Sequence, residues 1–179
     1  MHGYAIVSSD DCIADANGSM PASLQNEADW AYFQAELDRS CAVLLGRAAH
    51  EATPNTTGRL RIVMSRSLSG LKRIQADWWW NPDGLALVEM LTQVVPGGGQ
   101  IGVPGGRGPF DYLLATGQLD AFHLSRANRV SLPGGVPVFS GCRPGLSVAD
   151  LLTEAGLRPS PTRLLDDEAD VTLTVWQRA

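Results

Sequence analysis

Short apolar runs recur along the chain and alternate with segments of helical character. The runs at 4–7, 42–45, 61–64, 76–80, 100–103 and 121–125 are predicted strands. Helices are predicted to begin just before Asp29, at Gly46-Arg47, at a cap formed by Asp83, and near Phe110. Strands that alternate with helices at short spacing indicate βαβ units, and therefore a mixed, mainly parallel sheet flanked by helices.

The carboxyl-terminal part of the chain has a different pattern. Two strand-like runs, 162–165 and 171–176, flank the acidic stretch 166–170. They predict an antiparallel hairpin that closes one edge of the sheet around a solvated turn. The Pro/Gly-rich segment 133–144 is expected to be a surface excursion. Because the chain shows neither a repeat nor a linker, we predict one α/β domain that comprises residues 1–179.

Composition narrows the function classes. The net charge of −5 argues against nucleic acid or an anionic membrane as the main partner, and a small molecule is the expected ligand. Neither a signal peptide nor a membrane-spanning run is evident, which favours a cytoplasmic protein, either a monomer or a homodimer. The three cysteines form no C-x-x-C pair, so no metal site is expected, and Cys41 is interpreted as a small core residue.

An acidic residue stands on the side of the first helix that should be buried. Asp29, Phe33 and Leu37 share one face at helical spacing, with Tyr32 beside them. One interpretation is that Asp29 lies in the first turn, where the positive end of the helix dipole favours a carboxylate. The other is a half-buried carboxylate in an aromatic cleft, with a raised pKa and a proton or an amidine-like group to hold.

Two arginines follow strands that we expect to be neighbours. Gly46-Arg47 follows the strand at 42–45, and Ser65-Arg66-Ser67 follows the strand at 61–64. Ligands bind at this edge of an open α/β sheet, and guanidinium and hydroxyl groups there suit the 2′-phosphate of NADPH. The Gly105-Gly106 pair lies between a strand and a helix, where backbone amides can approach a phosphate. The glycines at 97, 99 and 102 match the letters G-x-G-x-x-G, but this run leads into a strand instead of following one and therefore predicts a plain turn.

Several of these segments, in this order, resemble the dihydrofolate reductase family. The resemblance covers residues 28–33 with the acid on a helix, 44–47 with Gly-Arg after a strand, 58–66, the glycine turn 103–107, the loop 10–21, and the strand 119–125. It implies one mixed sheet flanked by helices, NADPH as the hydride donor, and a reduced pterin bound against Asp29.

The resemblance also implies roles for individual residues. The hydroxyl of Ser125 would support Asp29, and Met20 would lie in a mobile loop over the nicotinamide; these three form the expected catalytic set. The expected substrate contacts are Ala5, Ile6, Asp29, Phe33 and Arg59, of which Arg59 would hold a glutamate carboxylate. The expected cofactor contacts are Ile13, Gly46, Arg47, Ala48, Ser65, Arg66, Ser67, Val103, Gly105, Gly106, Arg107 and Phe110.

Three functions remain open on the sequence. The first is an NADPH-dependent reductase of a dihydropterin, with dihydrofolate the first candidate. The second is a reductase of a ribosylated aminopyrimidine in riboflavin synthesis, which the pattern of residues 106–114 and 134–139 also fits. The third is a catalytically silent NADP-binding protein, because Ala22, Ala49, His50 and Pro104 depart from the reductase pattern.

Overall fold

A ten-stranded sheet forms the centre of the computed structural model, which describes residues 1–178. Its strands are β1 (His2–Ser8), β3 (Ala42–Gly46), β4 (Arg61–Met64), β5 (Leu71–Ile74), β6 (Asp77–Trp80), β7 (Ile101–Gly105), β8 (Ala121–Ala127), β10 (Leu157–Pro159), β11 (Arg163–Asp166) and β12 (Val171–Arg178). The short strands β2 (Cys12–Ala14) and β9 (Val136–Pro137) pair apart from it. The helices are α1 (Glu27–Asp38), α2 (Arg47–Ala52), α3 (Leu87–Val94), α4 (Arg107–Ala115) and α5 (Val148–Glu154).

The central strands are parallel and the outer ones antiparallel. The order across the sheet is β10-β12-β8-β1-β7-β3-β4-β6-β5, with β11 also on β12. All neighbours from β8 to β6 run parallel, whereas β5, β10, β11 and β12 pair antiparallel. This confirms the predicted mixed, mainly parallel sheet with its terminal hairpin. The neighbouring placement of β3 and β4 brings the two arginine-bearing strand ends to one edge.

Helices cover both faces of the sheet, unequally. On one face, α1 packs Phe33 and Leu37 onto Tyr4, Val43 and Val63. On the other face, α3, α4 and α5 bury a larger cluster that includes Met90, Phe110, Leu113, Leu152, Phe122 and Phe139. Burial of this apolar surface is the main source of stability. Within residues 1–178, no helix has the length and apolar character needed to cross a membrane.

The structure corrects several predictions. Asp83 does not cap a helix, because α3 begins four residues later after Ala86. Cys41 is exposed ahead of β3 and is not a core residue. The 133–144 segment is not merely a surface excursion, since Val138 and Phe139 are fully buried in the core. Five strands and helices escaped prediction: β2 inside the expected loop, the polar edge strand β5, β9 inside the expected excursion, α5, and β10.

The loop after β1 is fixed at its base by Asp11. Its carboxylate accepts hydrogen bonds from the Arg126 guanidinium of β8 (2.5 Å) and from the Val148 amide at the start of α5 (2.9 Å). Further along the loop, Asp15 orders the tip, because one carboxylate oxygen accepts from the amides of Asn17 (2.9 Å) and Ser19 (3.0 Å). The loop is therefore anchored where it begins and internally bonded where it turns.

Candidate functional site

Asp29 is held at the start of α1 and faces the sheet. Asn26 precedes the helix, and its side-chain oxygen accepts from the Asp29 amide at 3.0 Å. The same side chain donates to Asp166 of β11 at 2.7 Å, which ties the helix start to the terminal hairpin. Asp29 lies in the first turn, as one interpretation predicted, and is also half-buried, as the other did.

The Asp29 carboxyl lies near one buried hydroxyl, that of Ser125. Burial raises the pKa of Asp29 above its ordinary value, and the nearby Ser125 hydroxyl lowers it in part. Ser125 is only 1% exposed, and it lies in β8 opposite Ile6 of β1. The structure thus brings together the predicted pair Asp29 and Ser125, and a carboxyl with a raised pKa can exchange a proton or hold a cationic ring.

A polar seam continues from Asp29 along α1; it comprises Tyr32 and Glu36 on the helix, with His123 and Tyr4 on the sheet. The Tyr32 hydroxyl lies 2.5 Å from Nδ1 of His123, and the ring of His123 packs on Tyr4 at 4.5 Å between centroids. Burial, then the charges of His2 and Arg163, lower the pKa of His123 to about 4. His123 is therefore neutral near neutral pH and shares a hydrogen bond with the Tyr32 hydroxyl.

Trp30 lies beside the candidate site and was not predicted from the sequence. Its side chain is 59% exposed, although it is large and apolar, and its ring lies 5.4 Å from that of the half-buried Phe33. Trp30 adjoins Asp29 in sequence, and Phe33 lies one turn further on the same helix. Together they place an aromatic surface next to the carboxyl, which suits a flat heterocycle. The signal in the sequence was a tryptophan that follows Asp29 directly and lies off the helix face formed by Asp29, Phe33 and Leu37.

Arg59 is engaged within the chain. Its Nη2 donates to Asp38 at 2.5 Å and to Gln34 at 2.9 Å, so that it is joined to the later turns of α1. Its Nε is buried and meets no acceptor among residues 1–178. The predicted contact between Arg59 and a substrate carboxylate therefore competes with Asp38.

Two glycine turns touch at the carboxyl edge of the sheet. Gly46 ends β3 and precedes α2, and Gly106 follows β7 and precedes α4. A Cβ on Gly106 would come within 3.5 Å of the Gly46 nitrogen, and Gly106 has a φ of +88°. Gly105 also has a positive φ, of +130°. Because neither turn carries a side chain, the backbone amides at the start of α4 remain open to an anion.

Polar side chains surround these turns. Arg47 pairs with Glu51 one turn along α2 (2.7 Å), and Arg66 pairs with Asp83 (3.1 Å); both pairs are exposed. The hydroxyls of Ser65 and Ser67 lie 2.8 Å apart. Exposed pairs of this kind contribute little to stability and exchange readily for another anion. Guanidinium and hydroxyl groups in this arrangement suit a phosphate ligand, and Ala48 and Arg107, exposed in the first turns of α2 and α4, adjoin it.

The other predicted site residues differ in the face of the sheet on which they lie and in how far they are buried. Ile6 lies on the α1 face of the sheet beside Leu24, whereas Ala5 packs on the opposite face, so a substrate on the α1 face would meet only the backbone of Ala5. Phe110 is buried against Phe122 and supports the glycine turn from beneath. Val103 is likewise buried, Ile13 packs on the larger core, and Met20 is exposed in the loop. These roles remain predictions.

Comparison with known proteins places the architecture. No family model matches the sequence, and no curated protein matches it. Among solved structures, a protein of Shewanella sp. PV-4 described as a riboflavin biosynthesis protein aligns with a TM-score of 0.69 and 16% identity over 99% of this chain and 98% of its own. Dihydrofolate reductase of Enterococcus faecalis, solved with NADP(H) and RAB-propyl, gives 0.68 and 15% over 99% and 95%.

A third structure is matched over only part of its own chain. It is the diaminohydroxyphosphoribosylaminopyrimidine deaminase/5-amino-6-(5-phosphoribosylamino)uracil reductase of Thermotoga maritima, with a TM-score of 0.67 and 14% identity. The alignment covers 99% of this chain and 56% of that one. All three share one architecture, and the chain therefore has the dihydrofolate reductase-like fold. This confirms the resemblance that the sequence indicated, at the level of the fold.

Proposed function

We propose that the protein is an NADPH-dependent reductase of a dihydropterin, with dihydrofolate as the first compound to test. The observation that carries the proposal is the half-buried carboxyl of Asp29, with its raised pKa, beside the Ser125 hydroxyl. It lies on the α1 face of the sheet, near the carboxyl end of β8, and the glycine turns after β3 and β7 lie at the same edge. A carboxylate and an anion-binding edge are the two recognition elements that such a reaction requires.

Asp29 would orient the heterocycle. A pterin presents a ring N–H and an amino group side by side, and one carboxylate accepts both in a two-pronged contact. Trp30 and Phe33 offer aromatic surfaces to the ring. As charge develops on the ring during reduction, the Asp29 carboxylate stabilises the protonated form, and Ser125 keeps that carboxylate in place.

The carboxyl edge of the sheet would hold NADPH, which supplies the hydride when bound. Gly46 and Gly106 leave the backbone bare for its phosphates, and the first turn of α4 contributes amides. Arg47 and Arg66 would turn from their carboxylate partners to the 2′-phosphate, with Ser65 and Ser67 nearby. The loop that bears Met20 would exclude water from the transfer.

The test follows NADPH consumption with dihydrofolate, an unconjugated dihydropterin and the ribosylated aminopyrimidine in parallel. We expect Asp29→Asn to retain NADPH affinity but to raise the barrier by about 2 kcal/mol or more, roughly a thirtyfold loss of turnover. Glu27→Gln is the matched control, because it removes the same charge from the first turn of the same helix at an exposed position. Unchanged turnover in Asp29→Asn would remove that carboxyl from the mechanism.

The pyrimidine reductase is the second candidate, and specific observations favour it. Two of the structural neighbours are described by riboflavin biosynthesis or by the reduction of a phosphoribosylaminouracil. Asp38 also neutralises the charge of Arg59, so Arg59 no longer argues for a substrate with a folate-type tail. Turnover of the pyrimidine alone would transfer the assignment to this reaction, and NADPH binding without any turnover would favour the silent protein.

A further inference from the structure

The side of α1 that faces Arg59 carries Trp30, Gln34 and Asp38, at intervals of four residues. Along a helix these positions follow one another on adjacent turns. Arg59 contacts Gln34 and Asp38, which lie about 8 to 14 Å along the helix axis from Asp29 at 1.5 Å per residue. A substituent of that length, attached to a heterocycle at Asp29 and running past Trp30, would end at this arginine.

Asp38 already neutralises the positive charge of Arg59. The side chain of Arg59 is 18% exposed and that of Asp38 is 68% exposed, so the mostly buried cation has its counter-ion on the open side. A buried guanidinium without a partner would attract an anionic group strongly, whereas a paired one does not. An incoming carboxylate must displace Asp38, which the fold holds at high effective concentration.

Asp38 lies at a position in α1 where a carboxylate does not stabilise the helix. It is the last residue of α1, where the negative end of the helix dipole disfavours a carboxylate by roughly 0.3–1 kcal/mol. Its contact with Arg59 offsets that cost. We therefore propose that Asp38 is a specificity-determining residue, which excludes anionic tails from this end of the site and selects a heterocycle with a neutral substituent.

This inference rests on the proposed function and refines its substrate class. Among pterins, it favours an unconjugated dihydropterin over dihydrofolate, whose tail ends in carboxylates. A phosphate on a ribosyl group would meet the same negative charge if it extended toward Arg59. The exclusion is electrostatic, so removal of the Asp38 charge should reverse it without changing the shape of the site.

The experiment compares Asp38→Asn with the wild type. We expect the Kd of dihydrofolate to fall about tenfold while the Kd of unconjugated dihydropterin stays within twofold. Arg59→Gln in the Asp38→Asn background should abolish the gain. Glu89→Gln, which removes an exposed charge from α3, should have no effect. Equal changes for the two pterins, or tighter wild-type binding of dihydrofolate than of dihydropterin, would overturn the proposal.

A fragment separates this proposal from the proposed function. Benzoylglutamate carries the carboxylates without the pterin, and calorimetry should detect its binding to Asp38→Asn but not to the wild type. That result, without reduction of any pterin, would support the role of Asp38 and reject the reductase. If Asp38→Asn binds neither benzoylglutamate nor dihydrofolate, although its melting temperature is like that of the wild type, the role of Asp38 is rejected.

Discussion

The Tyr32 hydroxyl and Nδ1 of His123 lie 2.5 Å apart and join α1 to β8 across 91 residues of sequence. Asp29 and Ser125 form the neighbouring pair on the same two elements, and the Ser125 hydroxyl lowers the pKa of Asp29 in part. Tyr32 lies three residues after Asp29, and His123 lies two residues before Ser125, so the two contacts run side by side. The helix that carries the candidate acid is thus positioned by a neutral histidine and a tyrosine.

The burial of His123 predicts an acid-sensitive fold. The pKa of His123 is lowered from 6.5 to about 4 in the folded protein, so the unfolded chain takes up its proton first as the pH falls. The free energy of unfolding should decrease between about pH 6.5 and about pH 4, by up to about 3 kcal/mol from this group. His123→Gln should flatten that dependence in denaturant titrations. Tyr32→Phe should lower stability by about 1 kcal/mol and keep the slope. Identical slopes in wild type and His123→Gln would contradict this account.

Ser125 is expected to set the pH range of the proposed reaction. Its hydroxyl favours the charged form of Asp29, so Ser125→Ala should raise the pKa of that carboxyl further. The pH at which kcat/KM is half-maximal should therefore move upward. The same change in an Asp29→Asn background should leave the profile unaltered. A downward shift, or an equal shift in both backgrounds, would show that Ser125 acts elsewhere.

The exposed arginines are expected to decide between the nicotinamide cofactors. Replacing Arg47 and Arg66 by alanine should raise KM for NADPH at least about tenfold and leave NADH unchanged, because only NADPH carries the 2′-phosphate. Stability should hardly change, since both ion pairs are exposed. Arg158→Ala, on the edge strand β10, is the control. Equal losses for the two cofactors would place the phosphate elsewhere.

The glycine turn after β7 should be sensitive to a single methyl group. Gly106→Ala forces a positive φ on alanine and places its Cβ 3.4 Å from Pro109 and 3.5 Å from the Gly46 nitrogen. We expect a loss of about 1–3 kcal/mol in unfolding free energy and a separate loss of NADPH affinity. Gly117→Ala has a similar φ of +67° but open space around it. It should lose stability alone, and a loss of affinity there would argue against a specific cradle.

Much of the fold could be predicted because its signals are local. Apolar runs followed by Gly-Arg or Ser-Arg mark β3 and β4, and parallel neighbours necessarily end at the same edge. The strand β5 escaped because it is an edge strand, and its exposed Lys72 and Arg73 leave no apolar alternation. The Asp83 cap was wrong because the Asp83 carboxylate pairs with Arg66, while the Asp83 amide donates to the Asn81 side chain in the turn before α3.

The site was only half predictable, since pairs of residues distant in sequence have no local signal. Asp29 could be found from its place on an apolar face, and Ser125 only through resemblance. Nothing in the sequence around His123 indicates that Tyr32 is its partner. The capture of Arg59 by Asp38 depends on how closely β4 and α1 approach, which packing determines and spacing does not reveal.

The ordered tip of the loop after β1 has a consequence for the ligand binding that we propose. Asp15 already fixes the turn through Asn17 and Ser19, and Asp11 fixes the base. A slack segment must give up about 1–2 kcal/mol of backbone entropy for each residue that a ligand immobilises. A segment that swings as a preformed flap loses far less, so more of the binding energy is retained as affinity.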